Sequence, residues 1–399
     1  MHKLFNQAKP VLEKIERAGF QAYFVGGAVR DYLLNKQISD VDIASSAVPA
    51  EIKQIFDKTV DVGIEHGTIL VIFKGVPYEV TTFRSESEYA DFRRPSKVTF
   101  IRSLEEDLKR RDFTMNAIAM DKDLTIIDPF SGRIAIENQL ITTVGRPEDR
   151  FQEDALRMMR AVRFVSQLSF SIESDTYQGL KDHGHLLEKI AVERILAEFN
   201  KLLAGENKLQ AFNILRDTGL NEFLPGLKGT GKVLDEWGKL DVSRLKNLME
   251  SWVLFVYLLN PADIDSFLRS WKMSSKQMKE IKRYLFYLNL RFKGPLTKLN
   301  LFHAGMDTAL SIEKVYGVLK DCQDEAAASH TIEKDYRSLP IHDLQELAVG
   351  GRDLLEWSAK QAGPWVKETL LHALEAVLEQ QAPNEKEALR EWLGRCNLI

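Results

Sequence analysis

The sequence predicts an α+β N-terminal domain followed by a long all-α region. Short apolar runs rich in β-branched and aromatic residues, typical of strands, occur in the first third of the 399 residues. From about Gly145 onward, apolar residues instead recur with helical spacing. A hydrophobic fraction of 44% and a charged fraction of 28% are typical of a globular protein and exclude a collagen-like, coiled-coil or wholly disordered chain. At roughly 100–200 residues per domain, the length predicts two to four domains.

The predicted elements of the first third alternate between helices and strands. We expect helices at residues 9–18 and 28–34 and strands at 22–25, 40–44, 69–73 and 78–83. A hairpin turn is expected at residues 74–77, and the polar residues 84–95 predict a mobile loop. Helices are predicted further along the chain at 153–167, 192–203, 208–218, 252–259, 276–288 and 367–380.

Cysteine content and hydropathy exclude further classes of protein. Cys322 and Cys396 are too few for a disulfide framework or a cysteine-rich zinc site, which favours a reducing compartment. The longest apolar run, residues 252–259, has eight residues, whereas a membrane span needs about 20. The first residues predict an amphipathic helix rather than a signal peptide. We therefore expect a cytoplasmic protein with no membrane partner.

The net charge of −4 conceals an uneven distribution. Residues 266–300 contain nine Lys or Arg and one acid, whereas residues 319–399 contain nine Lys or Arg and fifteen acids. A basic middle and an acidic tail suit a protein that binds a polyanion over part of its surface. A solvated helix face is an equally good explanation of the charge pattern alone.

A double glycine follows the first predicted strand, in Gly26-Gly27-x-x-Arg30-Asp31. Glycine lets backbone approach a ligand closely, and a helix N-terminus offers N–H groups to an anion. Arg30 would add a fork-shaped phosphate donor. Such a turn is weak support for a site by itself, because Gly-Gly turns are common.

Two aspartates further along the chain strengthen the prediction of a phosphate-binding site at this turn. Asp40 and Asp42 occupy alternate positions of the next predicted strand, so they should face the same way. Two carboxylates on one face repel each other and are tolerated best with a hard divalent cation between them. Two Mg²⁺ ions held there could position a triphosphate and lower the pKa of an attacking hydroxyl. Two surface acids near a turn are the simpler alternative, which the neighbouring glycine motif disfavours.

These motifs resemble those of the polymerase-β-type nucleotidyltransferases, and more narrowly the class II tRNA nucleotidyltransferases (CCA-adding enzymes) and bacterial poly(A) polymerases. Further segments resemble family motifs in the same order, which extends the resemblance over roughly residues 20–200: Arg110-Arg111-Asp112-Phe113-Thr114-x-Asn116-Ala117, Asp128-Pro129-Phe130-x-Gly132, Glu153-Asp154-x-x-Arg157-x-x-Arg160 and Glu193-Arg194-Ile195-x-x-Glu198. The resemblance implies a nucleotidyltransferase head at residues 1–146, then a helical neck at 147–206, a body at 207–318 and a tail at 319–399.

The resemblance also implies an activity: addition of C, C and A from CTP and ATP to the 3′ end of tRNA, without a nucleic-acid template and with release of pyrophosphate. Asp40 and Asp42 would hold Mg²⁺, and Gly27 and Arg30 would bind the triphosphate. The basic stretch and the helical body would hold the tRNA acceptor arm, mainly through phosphates and shape. Both a monomer and a homodimer are compatible with the resemblance.

Four residues in or near these motifs receive looser assignments. The resemblance makes Arg111 a phosphate or nucleotide contact, and Arg110 should point elsewhere if the segment is extended. Asp112 is expected to act as a cap or to pair with an arginine. Glu79, on a neighbouring predicted strand, is a candidate third metal-site carboxylate, although an acid on a hairpin strand is usually just exposed.

Asp154, Arg157, Arg160 and Arg163 recur every three residues and predict one slowly drifting helical stripe. An aspartate accepts hydrogen bonds and an arginine donates them, so Asp154 and Arg157 suit the Watson–Crick edge of cytosine or adenine. Guanine and uracil would place a carbonyl against Asp154 and leave a buried polar group unsatisfied. Arg160 and Arg163 would lie near base, ribose or phosphate. An ordinary ion-paired face explains Asp154 with Arg157 but not three successive arginines.

Alternatives within and outside the family remain. Residues 91–95, Asp-Phe-Arg-Arg-Pro, resemble the Asp-x-Arg-x-Pro loop of members that add the terminal A, which favours complete CCA addition over a CC-only or A-only enzyme. Bacterial poly(A) polymerases often carry a basic C-terminal extension, and the acidic end of this chain disfavours that activity. An inactive RNA-binding protein on the same scaffold is a third alternative, against which the intact Asp40 and Asp42 argue.

Overall fold

The computed structural model describes residues 3–89, 95–322, 324–358 and 360–399. The chain forms two compact units, one of Met1–Gly238 with Arg269–Lys272 and one of Lys239–Leu268 with Met273–Ile399. The first unit combines a mixed sheet with helices, and the second contains helices and no strand among its described residues. The predicted class, an α+β head followed by helical regions, is confirmed.

A seven-stranded sheet organises the first unit. The strands of the chain are β1 (Ala22–Val25), β2 (Asp42–Ser45), β3 (Thr59–Gly63), β4 (Thr68–Phe73), β5 (Val76–Thr82), β6 (Arg84–Tyr89), β7 (Pro95–Phe100), β8 (Ala119–Met120), β9 (Ile126–Ile127), β10 (Leu140–Ile141) and β11 (Ser171–Ile172). The large sheet has the order β3-β4-β5-β2-β1-β8-β9. Its neighbours are antiparallel except β2 and β5, which run parallel. Separate two-stranded sheets pair β6 with β7 and β10 with β11.

Helices pack around this sheet and form the rest of the chain. Those up to residue 238 are α1 (Lys3–Arg17), α2 (Gly27–Leu33), α3 (Pro49–Ile55), α4 (Leu104–Lys109), α5 (Gly132–Glu137), α6 (Pro147–Glu153), α7 (Leu156–Leu168), α8 (Ser174–His183), α9 (Val192–Leu203), α10 (Lys208–Thr218) and α11 (Gly231–Trp237). Those that follow are α12 (Leu248–Leu259), α13 (Ile264–Ser270), α14 (Ser275–Lys293), α15 (Lys298–Ala304), α16 (Met306–Lys320), α17 (Glu325–Arg337), α18 (Gly351–Trp357), α19 (Pro364–Leu378) and α20 (Lys386–Arg395).

The strand that borders the functional residues follows the alternation expected of a half-buried strand. In β5, Tyr78, Val80 and Thr82 are buried, whereas Glu79 faces away from the core. The hairpin that leads into β5 turns through Lys74 and Gly75, whose φ angles of 50° and 80° are typical of a type I′ turn. The predicted turn between these strands is confirmed, and it fixes which face of β5 carries Glu79.

Two expectations about local structure are wrong in the same part of the molecule. The predicted loop at residues 84–95 is largely a hairpin, in which β6 and β7 pair antiparallel with Arg84 opposite Phe100. Residues 90–94, which hold most of the Asp-x-Arg-x-Pro motif, lie outside the described residues. The strand predicted at 40–44 begins only at Asp42, so Asp40 precedes it.

Helix α14 shows why the second unit is helical. Ser274 Oγ accepts a hydrogen bond from Gln277 N, and Gln277 Oε1 accepts one from Ser274 N, which is a reciprocal cap at the start of the helix. Met278, Ile281 and Leu285 then recur at helical spacing and are buried. Across the described residues, every helix is too short or too polar to cross a membrane.

Candidate active site

An open cleft of about 870 Å³ lies in the first unit. Its walls contain all the residues predicted to bind metal or nucleotide, namely Gly27, Arg30, Asp40, Asp42, Arg111, Asp154, Arg157, Arg160 and Arg163. Glu79, the candidate third carboxylate, lines the same cleft. The fold therefore gathers into one place residues from opposite ends of a 137-residue segment, from Gly27 to Arg163.

The acidic side of the cleft is built by two adjacent strands. Val41 is buried, whereas Asp40 and Asp42 on either side of it open to solvent. The parallel register pairs Ile43 with Val80, so the preceding residues, Asp42 and Glu79, are neighbours across β2 and β5. Although its side chain reaches solvent, the surrounding cleft wall removes part of the hydration of Asp42 and raises its pKa, and the charges of Asp40 and Glu79 raise it further, while Arg111 lowers it. The carboxylates repel one another and would gain from a bound cation.

These carboxylates suit a metal that is completed by its substrate. Within the described ranges, no group of three or more His, Cys, Asp or Glu side chains is arranged closely enough to hold a metal ion by itself. Mg²⁺ is usually bound through one or two carboxylates together with water and substrate phosphates, rather than in an all-protein cage. Asp40 and Asp42 supply two hard oxygen donors of that kind, beside cationic residues that could receive the phosphates.

Close packing requires a glycine at the turn beside these acids. Gly26 has a φ of 72° and a ψ of −138°, a backbone conformation that residues other than glycine avoid. A Cβ atom there would lie 3.2 Å from Arg111 Nη1 and 3.8 Å from Asp42 Oδ2. Gly26 therefore allows an arginine and an aspartate to approach the backbone that leads into Gly27 and α2.

A buried hydrogen-bond chain connects two of the predicted nucleotide-binding arginines. Arg30 Nη1 donates to Asn116 Oδ1 at 2.7 Å, and Asn116 Nδ2 donates to Asp112 Oδ1 at 3.1 Å. Asp112 Oδ2 accepts from Arg160 Nε at 2.7 Å, so the expected pairing of Asp112 with an arginine is found. Burial alone would raise the pKa of Asp112, but Arg160 and Asn116 outweigh it and hold that pKa far below its usual range. Phe113 N also donates to this carboxylate.

A second buried carboxylate, Asp107, holds both arginines of the Arg110-Arg111 pair. Asp107 Oδ1 accepts from Arg110 Nη2 at 2.8 Å, and Asp107 Oδ2 accepts from Arg111 Nη2 at 3.3 Å. Arg110 was expected to point away from Arg111 only in an extended segment, and that condition is not met, because Arg110 closes the last turn of α4. Asp107 also accepts from the backbone N–H of Arg84, the first residue of β6.

Asp154 is not part of a helical stripe, which corrects the sequence prediction. It lies between α6 and α7 with extended backbone (φ −141°, ψ 101°), so only the three arginines belong to α7. Asp154 Oδ1 accepts from Leu156 N at 3.1 Å, and Oδ2 accepts from Arg194 Nη2 at 2.8 Å. The break turns the Asp154 side chain into the cleft and places it opposite α9.

The alternative of an ordinary ion-paired helix face would pair Asp154 with Arg157, but the two carboxylate oxygens of Asp154 accept from Leu156 N and Arg194 Nη2. Arg157 Nη1 instead donates to Glu153 Oε2 at 2.6 Å, and Arg157 Nη2 donates to the carbonyl oxygen of Arg110 at 2.9 Å. Arg157 is buried, so these contacts fix its guanidinium in the cleft wall beside Asp154. The two residues still line the same cleft, as a base-reading pair requires.

Arg163 is a second buried member of the arginine wall, the part of the cleft formed by Arg157, Arg160 and Arg163. Arg163 Nε is 3.1 Å from Glu198 Oε2, and both side chains are buried. Burial lowers the pKa of Arg163 to about 10, and the neighbouring positive charge of Arg160 adds to this effect. Arg163 remains a cation at neutral pH, held by the carboxylate of α9.

Sequence reasoning gave no role to several residues that hold the site together. Asn116, Glu153, Arg194 and Glu198 stood inside the recognised motifs, so their positions were visible although their partners were not. Asp107 belongs to none of those motifs. The only available signal was its place three and four residues before two arginines, a spacing that brings side chains together on a helix.

The fold and the cleft together define a class of enzyme. The edge of a mixed sheet presents two aspartates and a glycine turn to the cleft, and helix α7 presents three arginines to it. This arrangement is that of a nucleotidyltransferase.

Comparisons with known proteins identify the family. The sequence matches the poly(A) polymerase head domain over residues 22–142, the probable RNA and SrmB-binding site of polymerase A over 169–229, and the putative tRNA nucleotidyltransferase domain 2 over 243–393. The CCA-adding enzyme of Bacillus cereus is 45% identical over 397 residues, and that of Bacillus cytotoxicus is 46% identical over 397 residues. Both alignments cover 100% of each chain.

Solved structures agree with this result. The Bacillus stearothermophilus CCA-adding enzyme in complex with CTP superimposes with a TM-score of 0.93 at 46% identity, covering 100% of this chain and 98% of that one. The Thermotoga maritima CCA-adding enzyme complexed with tRNA shares the fold, with a TM-score of 0.64 at 19% identity over 99% and 96% of the two chains.

The chain belongs to the CCA-adding enzymes, template-independent nucleotidyltransferases that add C, C and A to the 3′ end of tRNA. The relatives that match over the full length are CCA-adding enzymes, whereas the two models named after poly(A) polymerase each match only part of the chain. Nucleotidyltransferases of this family generally use divalent metal ions.

Proposed function

We propose that Asp40 and Asp42 hold Mg²⁺ and that the arginine wall of the same cleft binds CTP and ATP. The observation that carries the proposal is the convergence of all the predicted residues on one cleft. When bound, Mg²⁺ would activate the 3′ hydroxyl of the tRNA and stabilise the leaving pyrophosphate. The protein itself contributes two carboxylates together with the cations Arg30, Arg111 and their neighbours in the same cleft.

Glu79 is the third carboxylate of this proposal. It lies beside Asp42 across the parallel strands, but the described acids do not form a closed cluster of three. We therefore assign Glu79 to metal-bound water and Asp40 and Asp42 to the ion. Glu79→Gln should raise the Mg²⁺ concentration needed for half-maximal activity by less than tenfold, whereas Asp42→Asn should abolish transfer. Equal losses in the two variants would make Glu79 a direct ligand.

Arg30, Arg111 and Arg160 would receive the triphosphate. Arg30 and Arg160 are held by Asn116 and Asp112 through the buried chain, which fixes their guanidinium planes before substrate binds. Fixed donors cost little rearrangement when a phosphate arrives, which favours binding. Gly27 would let the phosphates approach the backbone closely.

Asp154 and Arg157 would read the incoming base. Each carboxylate oxygen of Asp154 has one described hydrogen-bond donor, and a carboxylate oxygen can accept two. Asp154 can thus accept the amino group of cytosine or adenine while Arg194 stays in place. The carbonyl of guanine or uracil would meet an acceptor instead, so these bases are rejected.

The base-reading assignment is tested by Asp154→Asn, which exchanges an acceptor for a donor at constant shape. The ratio of correct to incorrect incorporation, measured with CTP against UTP on a tRNA lacking its CCA end, should fall by at least about tenfold. Asp149→Asn, on the exposed face of α6, is the matched control and should leave the ratio unchanged. A uniform loss of rate in Asp154→Asn, with the ratio intact, would remove Asp154 from base selection.

The tRNA would be bound partly by α14 in the second unit. Lys276 and Lys279 are exposed, whereas Lys282 is paired with Asp265 at 2.9 Å. Exposed lysines bind phosphates mainly by releasing counterions, so the affinity depends strongly on salt. The division into a head at 1–146, a neck at 147–206, a body at 207–318 and a tail at 319–399 belongs to this proposal, as does a cytoplasmic location.

Removing charges from α14 tests which of its lysines bind tRNA. Replacing Lys276 and Lys279 together by Gln should weaken tRNA binding and reduce the slope of log affinity against log salt by about 2. The control Lys282→Gln should change the slope by less than half as much, because its ammonium is already neutralised by Asp265. Equal slopes in the double variant and the wild type would exclude α14 from the tRNA interface.

A further inference from the structure

The side chain of Phe164 is surrounded by the guanidinium groups of the cleft. Phe164 lies on α7, lines the cleft and is 4% exposed. The guanidinium carbons of Arg163, Arg30 and Arg160 lie over its ring, 4.0, 5.2 and 5.8 Å from the centroid. These distances are within the range of about 6 Å over which an aromatic ring attracts a cation.

The three arginines belong to two helices, and their positive charges repel one another. Arg30 belongs to α2, whereas Arg160 and Arg163 belong to α7. Each cation has a carboxylate partner: the adjacent Asp31 for Arg30, and the more distant Asp112 and Glu198 for Arg160 and Arg163. The aromatic ring is the one described group that all three guanidiniums share.

We infer that Phe164 is a positioning residue, whose ring attracts the guanidinium groups of Arg30, Arg160 and Arg163 and so restricts the directions in which their N–H groups point toward the nucleotide. A cation–π contact acts on the charge of the guanidinium and needs no hydrogen-bond acceptor. Phe164 therefore orients these donors without accepting hydrogen bonds from them, whereas a carboxylate would occupy them. This inference rests on the proposed function, in which the arginines bind the nucleotide.

The ring is itself fixed in place. Phe113 packs edge-on against Phe164, with centroids 5.8 Å apart and planes at 90°. Phe113 is fully buried, and its backbone N–H is bound to Asp112, which also holds Arg160. The ring of Phe164 and the guanidinium group of Arg160 are thus both anchored to the segment that contains Asp112 and Phe113.

The decisive experiment weakens the ring's electrostatics without changing its shape. Phe164 is replaced in the full-length enzyme by phenylalanine carrying one, two, three or five fluorine atoms, since fluorine progressively withdraws electron density from the ring face. KM for CTP should rise stepwise along the series. The loss of one contact corresponds to roughly two- to fivefold in affinity, so the fully fluorinated variant should reach at least about fivefold.

Two controls separate positioning from packing. Phe170 is 3% exposed, similar to Phe164, and no guanidinium lies over its ring in the part of the chain that the structure describes. The same fluorination at Phe170 should leave KM unchanged. Phe164→Tyr keeps the aromatic face and should bind CTP nearly as the wild type does, whereas Phe164→Leu should bind it more weakly. A KM that stays flat along the fluorine series would overturn the inference.

Arg160→Gln distinguishes failure of this inference from failure of the proposed function. A normal KM for CTP in Arg160→Gln would show that this arginine does not bind the nucleotide and would overturn both proposals for it. A raised KM in Arg160→Gln, together with a flat fluorine series at Phe164, would overturn the role of Phe164 alone.

Discussion

Asp112 joins the two halves of the buried chain that holds Arg30 and Arg160, so Asp112→Asn tests the network directly. The carboxylate accepts from Arg160 Nε, Asn116 Nδ2 and Phe113 N. Asparagine has the same shape but one acceptor oxygen fewer, so its NH₂ group must face a donor in either orientation. The variant also leaves the cation of Arg160 without its partner.

The magnitude follows from burial. Removing one partner of a buried ion pair costs about 3–5 kcal/mol. The side chain of Asp112 is 9% exposed but that of Arg160 is 33% exposed, so water can partly solvate the abandoned cation. We therefore expect a loss of about 2–3 kcal/mol. For a unit of this size, each kcal/mol lowers Tm by about 2–4 °C, which gives a decrease of about 4–12 °C.

Unfolding by urea and by heat, measured on the full chain at several pH values, checks this prediction. Because the folded-state pKa of Asp112 is depressed, its stabilisation is present above the unfolded pKa of about 3.9 and is lost as the pH falls through the folded value. The difference between wild type and variant should be constant above about pH 5 and shrink in acid. Asp149→Asn, an exposed change on α6, should be neutral. A loss below about 0.5 kcal/mol at pH 7, or one independent of pH, would refute the reasoning.

Three further predictions concern the rest of the cleft. Gly26→Ala should lower both activity and Tm, because it combines backbone strain of about 1–3 kcal/mol with displacement of Arg111. The control is Gly219→Ala, where φ is also positive but no atom lies within 4 Å of the added Cβ. This control should lower Tm slightly and leave activity intact. Asp107→Asn should raise KM for CTP and ATP severalfold, since Asp107 holds both neighbouring arginines, whereas the exposed Glu106→Gln should not; equal kinetics in the two would remove Asp107 from the site. Removing divalent metal with EDTA should abolish transfer, and Mg²⁺ should restore it; activity that persists in EDTA would argue against the metal site.

Much of the site was predictable because its residues stand in short motifs. Asp40 and Asp42 are two positions apart, and an extended chain places such residues on one side, whether or not the strand begins at Asp42. Arg160 and Arg163 were correctly predicted on one helix. The bounds of α9 and α10 agree with the predicted helices, because an uninterrupted apolar period specifies them.

The position of Asp154 could not be predicted for a physical reason. The predicted helix began at Glu153, whereas α7 begins at Leu156, and neither glycine nor proline marks this boundary in the sequence. The Asp154 carboxylate is bound at this boundary by Arg194 of α9, a tertiary contact that the local sequence does not reveal. The hairpin at residues 84–100 was missed for a similar reason: its polar strands lack the apolar alternation that marks a half-buried strand.

Partners that are distant in sequence were also out of reach. Glu198 neutralises Arg163 across 35 positions, and Asn116 binds Arg30 across 86. No local pattern encodes these pairs, because they depend on how α2, α7 and α9 are packed. The motifs therefore specified the residues of the site, whereas the structure was needed to show which residues hold them in place.

Transfer of nucleotides to a tRNA transcript that lacks its CCA end, by wild type and by Asp42→Ala, tests the central claim most directly. The wild type with Mg²⁺ should add two C residues from CTP alone and one terminal A when ATP is also present, with nothing added from GTP and UTP. Asp42→Ala should add nothing, yet it should remain folded with an unchanged or higher Tm, because the charge it removes is repelled by Asp40 and Glu79. Transfer that survives in Asp42→Ala, or a long A tail made by the wild type from ATP alone, would contradict the account.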